Sequence, residues 1–272
     1  MLTIPPLKDI AGPADRSRRR MLLLAIVMAG LACLPRRAWA QAADPGKLSR
    51  TLRSVRGWWE RLNREPDEGD EEAKDVLRYV SPVRPTPRSW SDGGITLTWI
   101  GHSTCLINLE GAMILTDPAF YDKVGINLLG LTTVGLQRFV PPALTIPELP
   151  PLDLILVSHA HMDHYDIPSL RRLPRGLPTI LARDTTEFLD DLGFSHVQEL
   201  DWGQTAEAAG VRIEAVPVKH WGSRYPWDGS RGYNGLLLTK NKRSIFFGGD
   251  TAYTDRLAAA TNGRPIDVVI LP

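Results

Sequence analysis

Ser158-His159-Ala160-His161-Met162-Asp163-His164 follows the apolar run of residues 152–157. The run reads as a buried strand. If strand geometry persists past Val157, His159 and His161 point to one side, and Asp163 and His164 come on the following turn. Four potential ligands within six positions then converge on one small volume. Neutral imidazole and carboxylate are the groups that divalent zinc takes in catalytic sites. A chance cluster of solvated histidines is the bland alternative. The preceding buried strand argues against it, as do two further candidates downstream.

The first is His220, in Pro217-Val218-Lys219-His220-Trp221. The second is Asp250, in Gly248-Gly249-Asp250-Thr251. Each comes just after a strand-like run, as the histidine cluster does, so one site at one sheet edge is geometrically sound. Taken alone, His220 reads equally as a structural histidine and Asp250 as a turn carboxylate. Beside the His-x-His-x-Asp-His run, the ligand reading is the stronger for both.

The surrounding texture is strand-rich. Residues 95–100, 105–109, 112–116, 152–157, 179–182, 210–218, 235–239, 243–247 and 267–271 read as strands, and 167–173 and 185–192 as short helices. This is mixed α/β with strand meanders, because a doubly wound parallel sheet needs a longer helix after each strand. No glycine-rich phosphate loop is present. The chain has 272 residues, enough for one large domain or two small ones. Lys plus Arg is 32 against 31 Asp plus Glu, a balance that speaks against a nucleic-acid partner. Two cysteines, Cys33 and Cys105, build no disulfide framework.

The first forty residues read as an export signal. Arg16, Arg18, Arg19 and Arg20 precede the apolar run 21–34, which is too short to span a membrane, and Ala38-Trp39-Ala40 is a small-x-small cleavage pattern. Ser17-Arg18-Arg19-Arg20-Met21-Leu22 is similar to a twin-arginine signal, so the expected location is periplasmic or membrane-associated. Residues 41–92 are expected to form a helical arm, over 47–64, and a Pro-rich linker. The main domain is expected from Gly93 onward.

From about residue 95 the chain resembles the metallo-β-lactamase-fold hydrolases, whose signature is His-x-His-x-Asp-His. It is most similar to the branch containing N-acyl-phosphatidylethanolamine-hydrolysing phospholipase D. Stretches that carry the branch resemblance include Thr98-Trp99-Ile100-Gly101-His102-Ser103-Thr104, Leu115-Thr116-Asp117-Pro118, Glu199-Leu200-Asp201-Trp202 and residues 246–253. The resemblance implies an αββα sandwich with two zinc ions at one edge. His159, His161 and His220 would hold one ion, Asp163 and His164 the other, and Asp250 would bridge them. It implies a metal-activated hydroxide as nucleophile, oriented by Asp163. Asp117 would hold a ligating imidazole. His102 would do likewise or serve only the turn.

The resemblance also implies one more histidine beyond the last strands, and no histidine follows His220. The expectation is a sandwich lacking its C-terminal part, with weak binding of the second metal and poor activity. Three functions follow: a zinc hydrolase of phosphodiesters such as phospholipids, a lactone or cyclic-ester hydrolase, or an inactive zinc-binding pseudoenzyme. The apolar residues 120–140 read either as core or as a lid that takes an acyl chain or touches a membrane. Residues 221–233, with Arg224, Tyr225, Trp227 and Arg231, read either as a phosphate-binding segment or as a solvated loop.

Overall fold

The computed structural model describes residues 84–128, 132–138, 140–225, 228–255, 257 and 263–272. The export signal, the helical arm at 47–64 and Trp227 lie outside them. Two sheets make up the architecture. The first has six strands: β1 (Ile95–Gly101), β2 (Thr104–Leu109), β3 (Ala112–Thr116), β6 (Leu154–Leu156), β7 (Thr179–Ala182) and β8 (Val197–Leu200), side by side in that order. β1 to β3 form an antiparallel meander, and β6, β7 and β8 join in parallel. The second sheet is ordered β13 (Val268–Ile270), β12 (Arg243–Phe247), β11 (Gly235–Lys240), β10 (Val211–Val216) and β9 (Thr205–Ala208). It is antiparallel except for the β12–β13 pair. A separate hairpin pairs β4 (Lys123–Leu128) with β5 (Thr132–Gln137).

Alternation along the strands explains the layering. Ile107, Leu109, Ile114, Leu154 and Leu156 from one sheet meet Ile213, Ala215, Leu236, Leu238, Ile245 and Phe247 from the other in one buried cluster. The opposite face of the first sheet, through Leu106, Leu115, Ile155 and Leu181, packs on Tyr165, Leu170, Leu189 and Leu192. A smaller cluster of Val216, Val218, Leu237 and Phe246 covers the outer face of the second sheet. This is the α/β sandwich expected from the sequence.

Several local expectations are corrected. The helix expected at 167–173 is a single α-turn, α1 (Ile167–Leu170), with Asp166 accepting from the Ser169 backbone N–H at its start. The short helix expected at 185–192 is present as a 3-10 helix over Thr186–Leu192. Asp190 and Asp191 sit at its C-terminal end, where a helix dipole disfavours negative charge. Strands β4, β5, β8 and β9 were not expected. β8 and β9 are short, polar and half-exposed, so no apolar run announces them.

Leu156 is fully buried between the sheets, directly before the histidine segment. Leu156→Ala should lower the unfolding free energy by about 2–5 kcal/mol in urea titration, with an unchanged slope. A loss below about 1 kcal/mol would show that the inter-sheet core does not carry this strand.

Candidate metal centre

The ends of β3, β6, β10 and β12 meet at one edge of the sandwich. β3 ends in Asp117, whose backbone takes the left-handed conformation at φ +40°. Its carboxylate is fully buried. Oδ1 accepts the Ser158 backbone N–H at 2.7 Å, and Oδ2 accepts the Ser158 hydroxyl at 2.7 Å. Oδ2 also lies 2.7 Å from His164 Nδ1. Ser158 Oγ is in turn 2.9 Å from His159 Nδ1. With its hydroxyl proton given to Asp117, Ser158 Oγ accepts from His159 Nδ1–H. One carboxylate therefore orients two imidazoles and turns both Nε2 atoms toward the edge.

His220 Nε2 lies 3.1 Å from His159 Nε2 and 3.1 Å from His161 Nδ1. Three ring nitrogens facing one another cannot all satisfy each other by hydrogen bonding. Ligands on a tetrahedral zinc ion stand about 3.3 Å apart, so the spacing suits a shared cation. Asp250 Oδ2 stands 3.8 Å from His220 Nε2 and completes this group. The other oxygen, Oδ1, is 3.1 Å from His164 Nε2, and Asp163 Oδ2 is 3.7 Å from the same nitrogen. Asp163, His164 and Asp250 thus form a second group, and Asp250 belongs to both. The donors in each group are those a divalent metal takes.

Gly249 explains how Asp250 arrives there. Its φ is +54°, and a Cβ would stand 2.7 Å from the Ser158 Cβ. Only glycine lets β12 run this close to the segment after β6. On the other side, the β1–β2 turn braces Asp163. His102 Nε2 is 3.0 Å from Asp163 Oδ2, and the Ser103 hydroxyl donates to the Asp163 carbonyl. Trp99 Nε1–H donates to the His102 carbonyl at 2.6 Å. A cleft of about 290 Å³ opens between this polar wall and Trp99, Phe247, Ile270 and Leu271.

Arg224 does not face the cleft. Its Nη1 donates to the carbonyls of Ala160 at 2.8 Å and Tyr165 at 2.9 Å. Trp221 stands 61% exposed, its ring 4.4 Å from that of His220 and 5.1 Å from that of His161. Sequence reasoning did not single out Ser158, Ser103 or Gly249. Ser158 and Gly249 directly precede candidate ligands, which is the signal that could have found them.

The electrostatics divide the histidines. Burial, then the neighbouring imidazoles, push His159 well below the ordinary value. Burial, then His220, lowers His161 to about 4. Burial also lowers His220. At His164 burial works the same way, but the carboxylates of Asp117, Asp250 and Asp163 together outweigh it and raise the group to about 10. Burial opposes ionisation of Asp163, yet the His102 hydrogen bond and the nearby His164 hold it well below the usual carboxylate range.

For the metal-free protein, the three lowered histidines stay neutral in the fold while the unfolded chain takes up protons below about pH 6.5. Stability is lost as pH falls from there toward 4. His164 works the other way: its contribution is full below about 6.5 and lost as pH rises toward 10. Melting temperature in chelator should therefore peak near pH 6.5, and His164→Gln should flatten the alkaline limb alone. A monotonic profile would contradict the assignment. Asp117→Asn should weaken metal binding about 10- to 100-fold, read by competition with a chromophoric chelator. Wild-type affinity would remove Asp117 from its orienting role.

The beta-lactamase superfamily domain model matches residues 113–272. N-acyl-phosphatidylethanolamine-hydrolyzing phospholipase D 1 of Caenorhabditis elegans is 30% identical, over 67% of this chain and 54% of its own length. A metal-dependent hydrolase of Salinibacter ruber is 27% identical, over 65% of this chain and 71% of its own. The isothiocyanate hydrolase from Delia radicum gut bacteria matches in fold with a TM-score of 0.51, at 20% identity over 64% of this chain and 69% of that one. The chain spans about half the length of the Caenorhabditis elegans relative. Its match to more than half of these 272 residues places the chain in the beta-lactamase superfamily domain family.

Proposed function

We propose that the chain is a metal-dependent hydrolase of phosphodiesters, of the phospholipid class, working with two zinc ions. The observation that carries this reading is Asp250, whose two oxygens face two different groups, Oδ1 toward His164 and Oδ2 toward His220. A carboxylate so placed suits two adjacent cations. Such a pair supplies ionised water near neutral pH and offsets charge on the phosphoryl oxygens.

The chain's own residues supply the rest. His159, His161 and His220 would hold one ion, and Asp163 and His164 the other. Asp117 holds the outward nitrogen of His164 directly and that of His159 through Ser158, so that both Nε2 atoms face the centre. Asp163, held by His102, offers a carboxylate oxygen that orients an attacking water. The apolar wall of Trp99, Phe247, Ile270 and Leu271 suits the apolar part of an amphipathic substrate beside the polar centre. The phospholipase D named above supports the phosphodiester class, and the arginine-rich leader supports a place of work outside the cytoplasm.

Bis(p-nitrophenyl) phosphate, N-acyl-phosphatidylethanolamine vesicles and a homoserine lactone should be compared with and without chelator. Turnover of the two phosphodiesters is expected, abolished by chelator and restored by zinc. Lactone turnover alone would overturn the substrate class, and no chelator-sensitive turnover of any substrate would overturn the hydrolase reading.

A further inference from the structure

We infer that Arg224 is a positioning residue that locks the His220 segment of the metal centre to the histidine segment 159–164; this rests on the metal-centre reading above. The candidate ligands come from three separate segments, residues 159–164, the segment beginning at His220, and Asp250. Arg224 lies four residues beyond His220 and reaches back to the first segment. Its Nη1 holds the carbonyl of Ala160, between His159 and His161, and the carbonyl of Tyr165, directly after His164. The two carbonyls bracket His161, Asp163 and His164.

Three aromatic rings lie near the guanidinium. It lies 5.1 Å from the ring centre of Phe188 and 5.8 Å from those of Tyr165 and Tyr225. Its Nε is buried with no hydrogen-bond partner, so the stacked rings provide most of its remaining surroundings. The segment that carries it is closed by Asp228. Asp228 Oδ2 accepts the backbone N–H groups of Arg224 at 2.9 Å and Tyr225 at 3.1 Å, and Arg231 Nε at 3.0 Å. Arg231 stacks on Phe188 at 4.5 Å and pairs with Glu187 at 2.5 Å. Arg231 thus ties the described residues after His220 to the 3-10 helix, and Arg224 ties them to the histidine segment.

Both hydrogen bonds leave the one planar Nη1 group of the guanidinium, and an ammonium does not hold that plane. Cobalt(II) binding to the wild-type protein, Arg224→Lys and Arg224→Met should be measured by chelator competition and by the visible ligand-field spectrum. Affinity should fall about threefold or more in Arg224→Lys and about tenfold or more in Arg224→Met, with altered band positions in both. The metal-free melting temperature of Arg224→Lys should stay near wild type, because the cation remains on the rings. Should Arg224→Met fail to fold, Arg224→Lys decides. Wild-type affinity and spectrum in a folded variant would overturn the role of Arg224. A wild-type protein that binds no cobalt would instead overturn the metal-centre reading and this inference with it.

Discussion

The buried carboxylate of Asp117 is the constraint on which the edge of this molecule depends. It has no net solvent exposure, and it satisfies its oxygens with one backbone N–H, one hydroxyl and one imidazole. A buried carboxylate is tolerated only when so paired. Each of its bonds also does something beyond its own satisfaction. The bond to Ser158 N joins the end of β3 to the end of β6. The bond to Ser158 Oγ sets the donor direction toward His159, and the bond to His164 fixes that ring. The left-handed backbone at Asp117 is a local cost of the kind found where geometry serves a site.

The two sheets contribute unequal parts. The first sheet supplies the densest segment, His159 to His164, together with the β1–β2 turn that braces Asp163. The second sheet supplies single residues, His220 after β10 and Asp250 after β12. The inter-sheet core therefore sets the distance between the groups, and Gly249 permits the approach of β12 to Ser158. A backbone bond from Asn234 N, just before β11, to the Ser158 carbonyl, just after β6, at 2.9 Å, joins the two sheets at the same place. Fold and site share these contacts, so a loosened core would be felt first in the metal centre.

Much of this was legible in the sequence because its signals are local. Buried strands such as β3, β6, β11 and β12 announce themselves as apolar runs, and His-x-His-x-Asp-His crowds its chemistry into one turn. His220 and Asp250 were legible by their place after such runs. What was not legible depends on partners distant in sequence. β8 and β9 are polar edge strands, and Glu199 within β8 serves the backbone N–H groups of Asp184, Thr185 and Thr186 rather than a core. The inward or outward direction of Arg224 depended on the carbonyls of Ala160 and Tyr165, which no spacing rule could supply. Ser158, which sequence reasoning did not single out, is the link between Asp117 and His159.

The central claim is that one carboxylate, Asp250, is shared by two metal ions held in an edge organised by Asp117. The most direct test is a crystal structure of the zinc-loaded protein with anomalous scattering recorded at the zinc edge. The account predicts two peaks about 3.5–4 Å apart, one against His159, His161 and His220, the other, weaker, against Asp163 and His164, with Asp250 reaching both. A single peak that leaves Asp163 and His164 without metal, or zinc bound away from these residues, would contradict it.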